Sequence, residues 1–342
     1  MHSILDWQSR LVPELMDAMR RRHRILRSIA DAQLIGRRAL AASLGMTERV
    51  LRSETDALKE NGLLTVDTAG MRLTEEGERL LEQMAPHLSE LYGLSGLADE
   101  LRSRFRLREA VVVPGNADED PAVKRDMGRA FAVLLAREAR EGDVIAVAGG
   151  STMAEAAKVL KPSPAFGRVL FVPTRGGLDD NLDLQANMVA ADMARNTGGQ
   201  YRLLHVPVIL SEEARVSLLR DPGVAELVEA IRGARIVVHG IGDAIVMAER
   251  RKSGQDIMEL LRARQACGEA FGYYFNGQGE VVHRMFTVGL QLEDITGKDK
   301  LVIGLAGGRS KGRAIAAFLS YGYEHVLITD EAAASAALEA AG

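Results

Sequence analysis

Three glycine loops carry the residue types that could hold a phosphorylated small molecule. The first follows an apolar run, Val144-Ile145-Ala146-Val147-Ala148, and reads Gly149-Gly150-Ser151-Thr152 before a helix-forming segment at 152–160. Glycines let a chain turn tightly and approach a ligand closely. Ser151 or Thr152 adds a hydroxyl and can cap the new helix. The unpaired N–H groups and positive dipole end of that helix favour an anion such as phosphate. An ordinary strand-to-helix turn would use the same glycines. The second loop, Val172-Pro173-Thr174-Arg175-Gly176-Gly177, offers the Arg175 guanidinium as a bidentate fork for phosphate. The third, Leu305-Ala306-Gly307-Gly308-Arg309-Ser310-Lys311, repeats the glycine pair and the hydroxyl, and sets a cation at a helix start. The first and third loops would leave one sheet in the same direction and could converge on one phosphate. The first loop lacks the lysine of a P-loop and the spacing GxGxxG, so neither nucleotide class is supported.

Other side chains could complete such a site. Gln185 and Asn187 on a predicted helix could bond sugar hydroxyls, as could Glu269 in the turn-like segment Cys267-Gly268-Glu269-Ala270-Phe271-Gly272. Arg250-Arg251-Lys252 adds positive charge. His205 and His239 lie in apolar strands and read as core histidines, and Cys267 as a small buried hydrophobe. No metal-ligand spacing occurs, so no metal and no cofactor is expected. Sugar-phosphate chemistry would need an acid/base pair, for which Asp243 and Glu269 could be offered. No dense Asp, Glu and His constellation surrounds the glycine loops.

The elements that must position these residues alternate from residue 110 onward. Strands are predicted at 110–113, 144–148, 169–172, 201–204, 236–239, 280–282, 301–305 and 326–329. Helices are predicted at 121–141, 152–160, 182–196, 211–219, 224–232 and 312–320. This alternation implies an α/β class with a Rossmann-like parallel sheet covered on both faces. Ligands then bind beyond the carboxyl ends of the strands.

The first 73 residues read differently. Apolar residues recur at helical spacing from Ile4 and Leu5 to Ile29, with Pro13 dividing or starting a helix. The basic run at 20–24 is either a solvated helix face or a phosphate contact. A short helix at 38–44, a turn at Gly45 and a second helix capped by Thr47 and ending near Asn61 have helix-turn-helix spacing. Leu40, Leu44, Val50, Leu51 and Leu58 would form its core. Arg49, Arg52 and Ser53 would face the DNA major groove, with Arg37, Arg38, Thr47 and Arg72 as further contacts. A hairpin around Asp67-Thr68-Ala69-Gly70 supplies a wing. Thr74 then caps a helix with leucines at roughly 3–4 residue spacing up to Leu97. That helix reads as a connector, forming a dimer seam or packing on its own body. The domains are therefore 1–73, a winged helix-turn-helix; 74–108, a helical connector; and 109–342, an effector-binding and oligomerisation domain.

Charge supports this division. Residues 1–73 hold 12 Lys and Arg against 9 Asp and Glu, a net of +3; the remainder hold 31 against 38, a net of −7. A basic head on an acidic body suggests that only the head meets DNA. Hydrophobic content of 47% with 26% charged residues is ordinary for a globular chain. One cysteine suits a reducing cytoplasm. The N-terminal stretch is too polar for a signal peptide, and no apolar run is long enough to span a membrane.

The ordered set of motifs resembles the SorC-type sugar-responsive transcription regulators of bacteria. The carrying residues are those at 37–73, AGGSTMAEAA at 148–157, VPTRGG at 172–177, AERRK at 248–252, FGYYFNGQG at 271–279 and LAGGRSKGRAI at 305–315. The resemblance implies a body folded like sugar-phosphate isomerases and deaminases, but a repressor of a glycolytic operon rather than an enzyme. It also implies that fructose-1,6-bisphosphate binds and weakens operator binding. Matched by motif, the ligand residues would be Gly149, Gly150, Ser151, Thr152, Arg175, Gln185, Arg250, Arg251, Glu269 and Lys311. Because helix-turn-helix regulators read paired half-sites, a homo-oligomer, dimer or tetramer, is expected. The alternative is a sugar-phosphate enzyme that carries a DNA-binding head.

Overall fold

A computed structural model describes residues 11–177, 182–207, 210–297 and 299–342. The predicted helical positions Ile4 and Leu5 lie outside the described residues. The chain divides into two compact units, Met1–Leu94 and Ser95–Gly342.

The first unit begins with α1, Pro13–Ala32, with its proline in the first turn. A helix start leaves its first N–H groups unpaired, so the ring costs nothing there. Helix α2 (Arg37–Leu44) ends at Gly45, whose φ of 64° is left-handed. Helix α3 (Glu48–Glu60) is capped by Thr47, whose hydroxyl accepts the Val50 N–H at 3.4 Å. Strands β1 (Leu64–Val66) and β2 (Met71–Leu73) pair antiparallel, and Ile35 adds a bridge to Met71 that the sequence did not announce. The core gathers Ile25, Leu26, Ile29, Leu40, Leu51, Leu58 and Met71.

Val50 does not join this core; it is 44% exposed, and Met46 packs against the core instead. The buried face of α3 runs through Leu51, Thr55 and Leu58, and one residue along a helix is a turn of about 100° away from it. The basic run at 20–24, still partly exposed, is tied into the unit through several of its side chains. Arg21 and Arg22 donate to Glu54 of α3 at 2.6 and 2.8 Å, Arg20 donates to the Leu91 carbonyl, and His23 is buried against the Tyr92 hydroxyl. It is a clamp inside the unit.

The stretch after Thr74 is not one helix. Helix α4 (Glu75–Met84) gives way to a 3-10 turn containing Pro86, then to a single turn, α5 (Leu88–Leu91). Leu81, Leu88 and Leu91 are buried.

The second unit opens with α6 (Ser95–Phe105), β3 (Glu109–Val113), α7 (Ala122–Glu138), β4 (Val144–Val147) and α8 (Ser151–Val159). It continues with β5 (Leu170–Pro173), α9 (Ala186–Thr197), β6 (Gln200–Tyr201), α10 (Glu212–Leu218), α11 (Pro222–Gly233) and β7 (Ile236–His239). An insertion follows: β8 (Gly242–Asp243), α12 (Ala244–Arg250), α13 (Gln255–Ala263), β9 (Ala266–Ala270), β10 (Tyr273–Asn276) and β11 (Val281–Arg284). The unit closes with β12 (Leu301–Leu305), α14 (Gly312–Tyr321), β13 (Val326–Asp330) and α15 (Glu331–Ala341). Seven strands form a parallel sheet in the order β3-β13-β12-β7-β4-β5-β6. β7, β12 and β13 are buried along their whole length, as strands covered on both faces must be.

Four expectations change. Residues 202–204 leave strand β6, because Asn187 takes both backbone groups of Leu204 onto its side chain. His205 is consequently exposed rather than in the core. The strand expected at 280–282 belongs to a second, antiparallel sheet, β11-β10-β9-β8. Glu269 lies in β9, and the turn falls one step later at Phe271 and Gly272, with φ of 56° and 84°. His239 is the expected core histidine. It is fully buried, with Nε2 2.7 Å from Glu324 and Nδ1 3.0 Å from the Gly240 carbonyl. Cys267 is buried, and burial pushes its thiol pKa up.

Candidate functional site: a cationic cavity at the switch point

The strand order reverses between β4 and β7, and a cavity of about 500 Å³ opens beyond their carboxyl ends. The first glycine loop forms one wall. Gly149 admits no side chain, since a Cβ would lie 2.3 Å from the Leu184 carbonyl. Gly150, with φ of 118°, donates to that carbonyl at 2.8 Å. No side chain caps α8, so its first N–H groups stay available where Ser151, Thr152 and Met153 line the cavity.

The third loop lines the same cavity but works differently. Its backbone donors are spent inside the protein. Gly308 donates to Asp330 at 2.6 Å, Arg309 to Asn116 at 3.1 Å, and Ser310 to Asp118 at 2.8 Å. The Ser310 hydroxyl also bonds Asp118, at 3.0 Å. The two glycine loops therefore share a cavity, but only the first presents open amides; the third contributes the Lys311 ammonium. That ammonium sits below the usual lysine pKa, first through burial, then through the charges of Lys124 and Arg250. Asp118 and Asp330 pull the other way.

Arg175 reaches the cavity from the second loop. That loop is held by a return segment after β11. Leu290 donates to the Thr174 carbonyl at 2.7 Å, and a Cβ on Gly289 would meet the same oxygen at 2.3 Å. Glu269 lies beneath, with Arg175 at 3.8 Å, Arg251 at 3.0 Å and the Gly272 N–H at 2.7 Å. Burial pushes its carboxyl pKa up, but the charges of Arg251 and Arg175 outweigh it, and the net shift is downward.

Of the ten residues matched to a ligand, eight line the cavity: Gly149 to Thr152, Arg175, Arg250, Glu269 and Lys311. Arg251 does not. Its guanidinium is buried, with the Tyr274 hydroxyl at 3.0 Å on its other side, so it faces Glu269 from behind. Gln185 stands just before α9, buried beside Gly177, and is not on the cavity wall. Asn187 is committed to Leu204. Two charged wall residues went unread in the sequence: Lys124, whose Nζ is 3.3 Å from the Ser151 hydroxyl, and Asp118; Phe271, read only as part of a turn, also lines the wall. Only the left-handed Phe271-Gly272 pair carried a local signal, as a hairpin turn.

In the first unit, Arg49, Arg52 and Ser53 share the exposed side of α3, opposite Leu51, Thr55 and Leu58. Arg52 stands 3.8 Å from Asp56, and Arg38 3.4 Å from Glu48, both in open solvent. Arg72 is exposed on β2, Arg37 is half-buried at the start of α2, and the Thr47 hydroxyl is used as the cap of α3. Among the described residues no group of acidic, His and Cys side chains could hold a metal ion, and no helix is long and apolar enough to cross a membrane.

Comparison with known proteins fits both units. Residues 89–339 match the profile of a sugar-binding domain, and residues 18–88 that of the CggR N-terminal DNA binding domain. The central glycolytic genes regulator of Priestia megaterium is 48% identical over 335 residues, covering 98% of each chain. That of Bacillus subtilis is 42% identical over 334 residues, again covering 98% of each. A solved structure from Enterococcus faecalis, classed as a SorC family transcriptional regulator, is 39% identical with a TM-score of 0.67, covering 71% of this chain and 99% of that one. The full-length sorbitol operon regulator SorC of Klebsiella pneumoniae shares the fold over 95% of this chain at 19% identity, with a TM-score of 0.62 over 99% of its own length. A DNA-binding unit joined to a sugar-binding unit makes the chain a transcription regulator and not an enzyme, as its relatives are. It belongs to the SorC-type family of sugar-binding transcriptional regulators, within the group of the central glycolytic genes regulators.

Proposed function

We propose that this regulator represses a glycolytic operon, and that fructose-1,6-bisphosphate binds the cavity and relieves operator binding. One observation carries the choice of a phosphorylated effector. Among the described residues, Lys124, Arg250 and Lys311 have no ion-pair partner, yet all three line one cavity with Arg175 and the open amides of α8. The lining cations Lys124, Arg175, Arg250 and Lys311 outnumber the three wall acids, Asp118, Asp243 and Glu269, and Glu269 is also paired with Arg251 from behind. The wall thus carries a net positive charge and open amides, which favour a sugar bearing two phosphates, with roughly four negative charges, over an uncharged sugar. Gly149, Gly150, Ser151, Thr152 and Lys311 would hold one phosphate and Arg175 with Arg250 the other. Glu269 would accept a sugar hydroxyl, and Arg251 acts through it. Arg49, Arg52 and Ser53 would read operator DNA. An electrophoretic shift of the operator with rising fructose-1,6-bisphosphate tests the reading. Release of DNA by the bisphosphate, but not by unphosphorylated fructose, is expected; no change with either sugar overturns it.

A further inference from the structure

We infer that Lys124, on α7, is a phosphate-binding residue of the cavity, sharing with Lys311 the phosphoryl group seated on the first turn of α8. The inference rests on the phosphorylated-effector reading and adds a ligand from an element outside all three glycine loops. Lys124 reaches across to α8, its Nζ 3.3 Å from the Ser151 hydroxyl. The approach of the two helices is fixed by Gly128, where a Cβ would lie 2.9 Å from the Ala156 Cα. Lys124 is therefore held beside the α8 start by packing rather than by chance of a flexible surface chain.

Its neighbours show what an ordinary cation on these helices does. Arg125 pairs with Glu155 of α8 at 3.5 Å, and Lys158 pairs with the same acid at 2.7 Å. Lys124 instead points at a hydroxyl and has no ion pair among the described residues. It is also close enough to Lys311 to act on its charge. The two ammonium groups repel each other across the cavity, and the charge of Lys124 acts on Lys311 more strongly than that of Asp118 on the same wall. An anion between them removes that repulsion and gains two charge-assisted contacts. An uncharged sugar would do neither.

Calorimetric titration of the full chain with fructose-1,6-bisphosphate and with inorganic phosphate tests this. Lys124→Met should weaken both by about 10-fold or more, as the loss of one charged hydrogen bond does. Lys124→Arg should restore most of the affinity. Lys158→Met, which removes a paired cation from α8, should leave both unchanged. A second readout separates binding from folding. Lys311 faces the positive charges of Lys124 and Arg250 and the negative charges of Asp118 and Asp330. With Lys124 gone, Lys311 keeps its proton to higher pH, so affinity should decline at a more alkaline pH than in the parent. Parent-like binding by Lys124→Met, or an equal loss in Lys158→Met, overturns the inference and leaves the effector reading standing. A parent chain that binds neither probe overturns both.

Discussion

Arg250 and Arg251 differ in what they touch. Arg250 lines the cavity with no ion pair among the described residues, whereas Arg251 is buried against Glu269 and Tyr274. Removing one partner of a buried pair strands the other, at a cost of about 3–5 kcal/mol. Arg251→Met should therefore lower stability by about that amount at pH 7. Arg250→Met should leave stability near the parent and weaken the bisphosphate instead. The pH dependence has a definite sign. The Glu269 carboxyl is held below its usual pKa, so its contribution is fully present above the unfolded value of about 4.3 and is lost as pH falls through the lower folded value. In Arg251→Met that carboxyl becomes easier to protonate, and the stability gap from the parent should shrink on acidification. Urea unfolding of both variants at pH 7 and pH 4 measures this. Equal destabilisation by the two substitutions would show that Arg251 is not the buried partner. Arg175→Ala should weaken the bisphosphate more than fructose 6-phosphate; equal losses would show that this arginine does not hold the second phosphate.

Helix α3 separates its duties by face. Leu51, Glu54, Thr55 and Leu58 are buried, and Glu54 is gripped by Arg21 and Arg22 of α1. Arg49, Arg52 and Ser53 stand on the open side. Arg52→Ala should cost about 1–3 kcal/mol of operator affinity if it reads a base, with little change in melting temperature. Arg21→Ala, by contrast, should lower the melting temperature of the DNA-binding unit. An Arg52→Ala chain that binds operator like the parent would displace the recognition face. This helix also shows what local sequence can convey. The caps at Thr47 and Thr74, the turn at Gly45 and the Gly149-Gly150 turn are encoded by neighbouring residues, and each was legible. The antiparallel insertion was not. In β9, Ala266, Cys267 and Gly268 are small because α14 packs on them, with Ala314 only 2.9 Å from where a Gly268 Cβ would be. Small residues without alternation read as a turn, which misplaced Glu269. Lys124 was invisible for a related reason: its position depends on how α7 crosses α8, not on its neighbours in the chain. The register of Arg250 and Arg251 turned on a rotation of about 100° at the end of α12.

At the scale of the whole molecule, one unit carries the DNA-reading face and the other the cavity, so the function depends on coupling between them. A single winged unit covers one half-site, and regulators of this kind read paired half-sites one or more helical turns apart. We expect a homo-oligomer in solution. Sedimentation that shows only monomer at micromolar concentration, with and without operator, would rule it out. The coupling itself obeys a strict condition. A ligand shifts an equilibrium only by its differential affinity for the two states, so a tightly bound effector that favours neither state would relieve nothing. If fructose-1,6-bisphosphate lowers operator affinity by some factor, operator DNA must lower bisphosphate affinity by the same factor. Typical coupling of this kind is about 5–150-fold, or about 1–3 kcal/mol. A bisphosphate can brace the α8 loop and the Arg175 loop together, since both line the cavity; a monophosphate engages one of them. Fructose 6-phosphate should therefore raise the melting temperature of the chain while showing little mutual effect with DNA. Titrating each sugar into the free chain and into the operator complex by calorimetry decides the matter. Bisphosphate affinity that is identical with and without operator would mean that its binding to this cavity is not what releases the DNA.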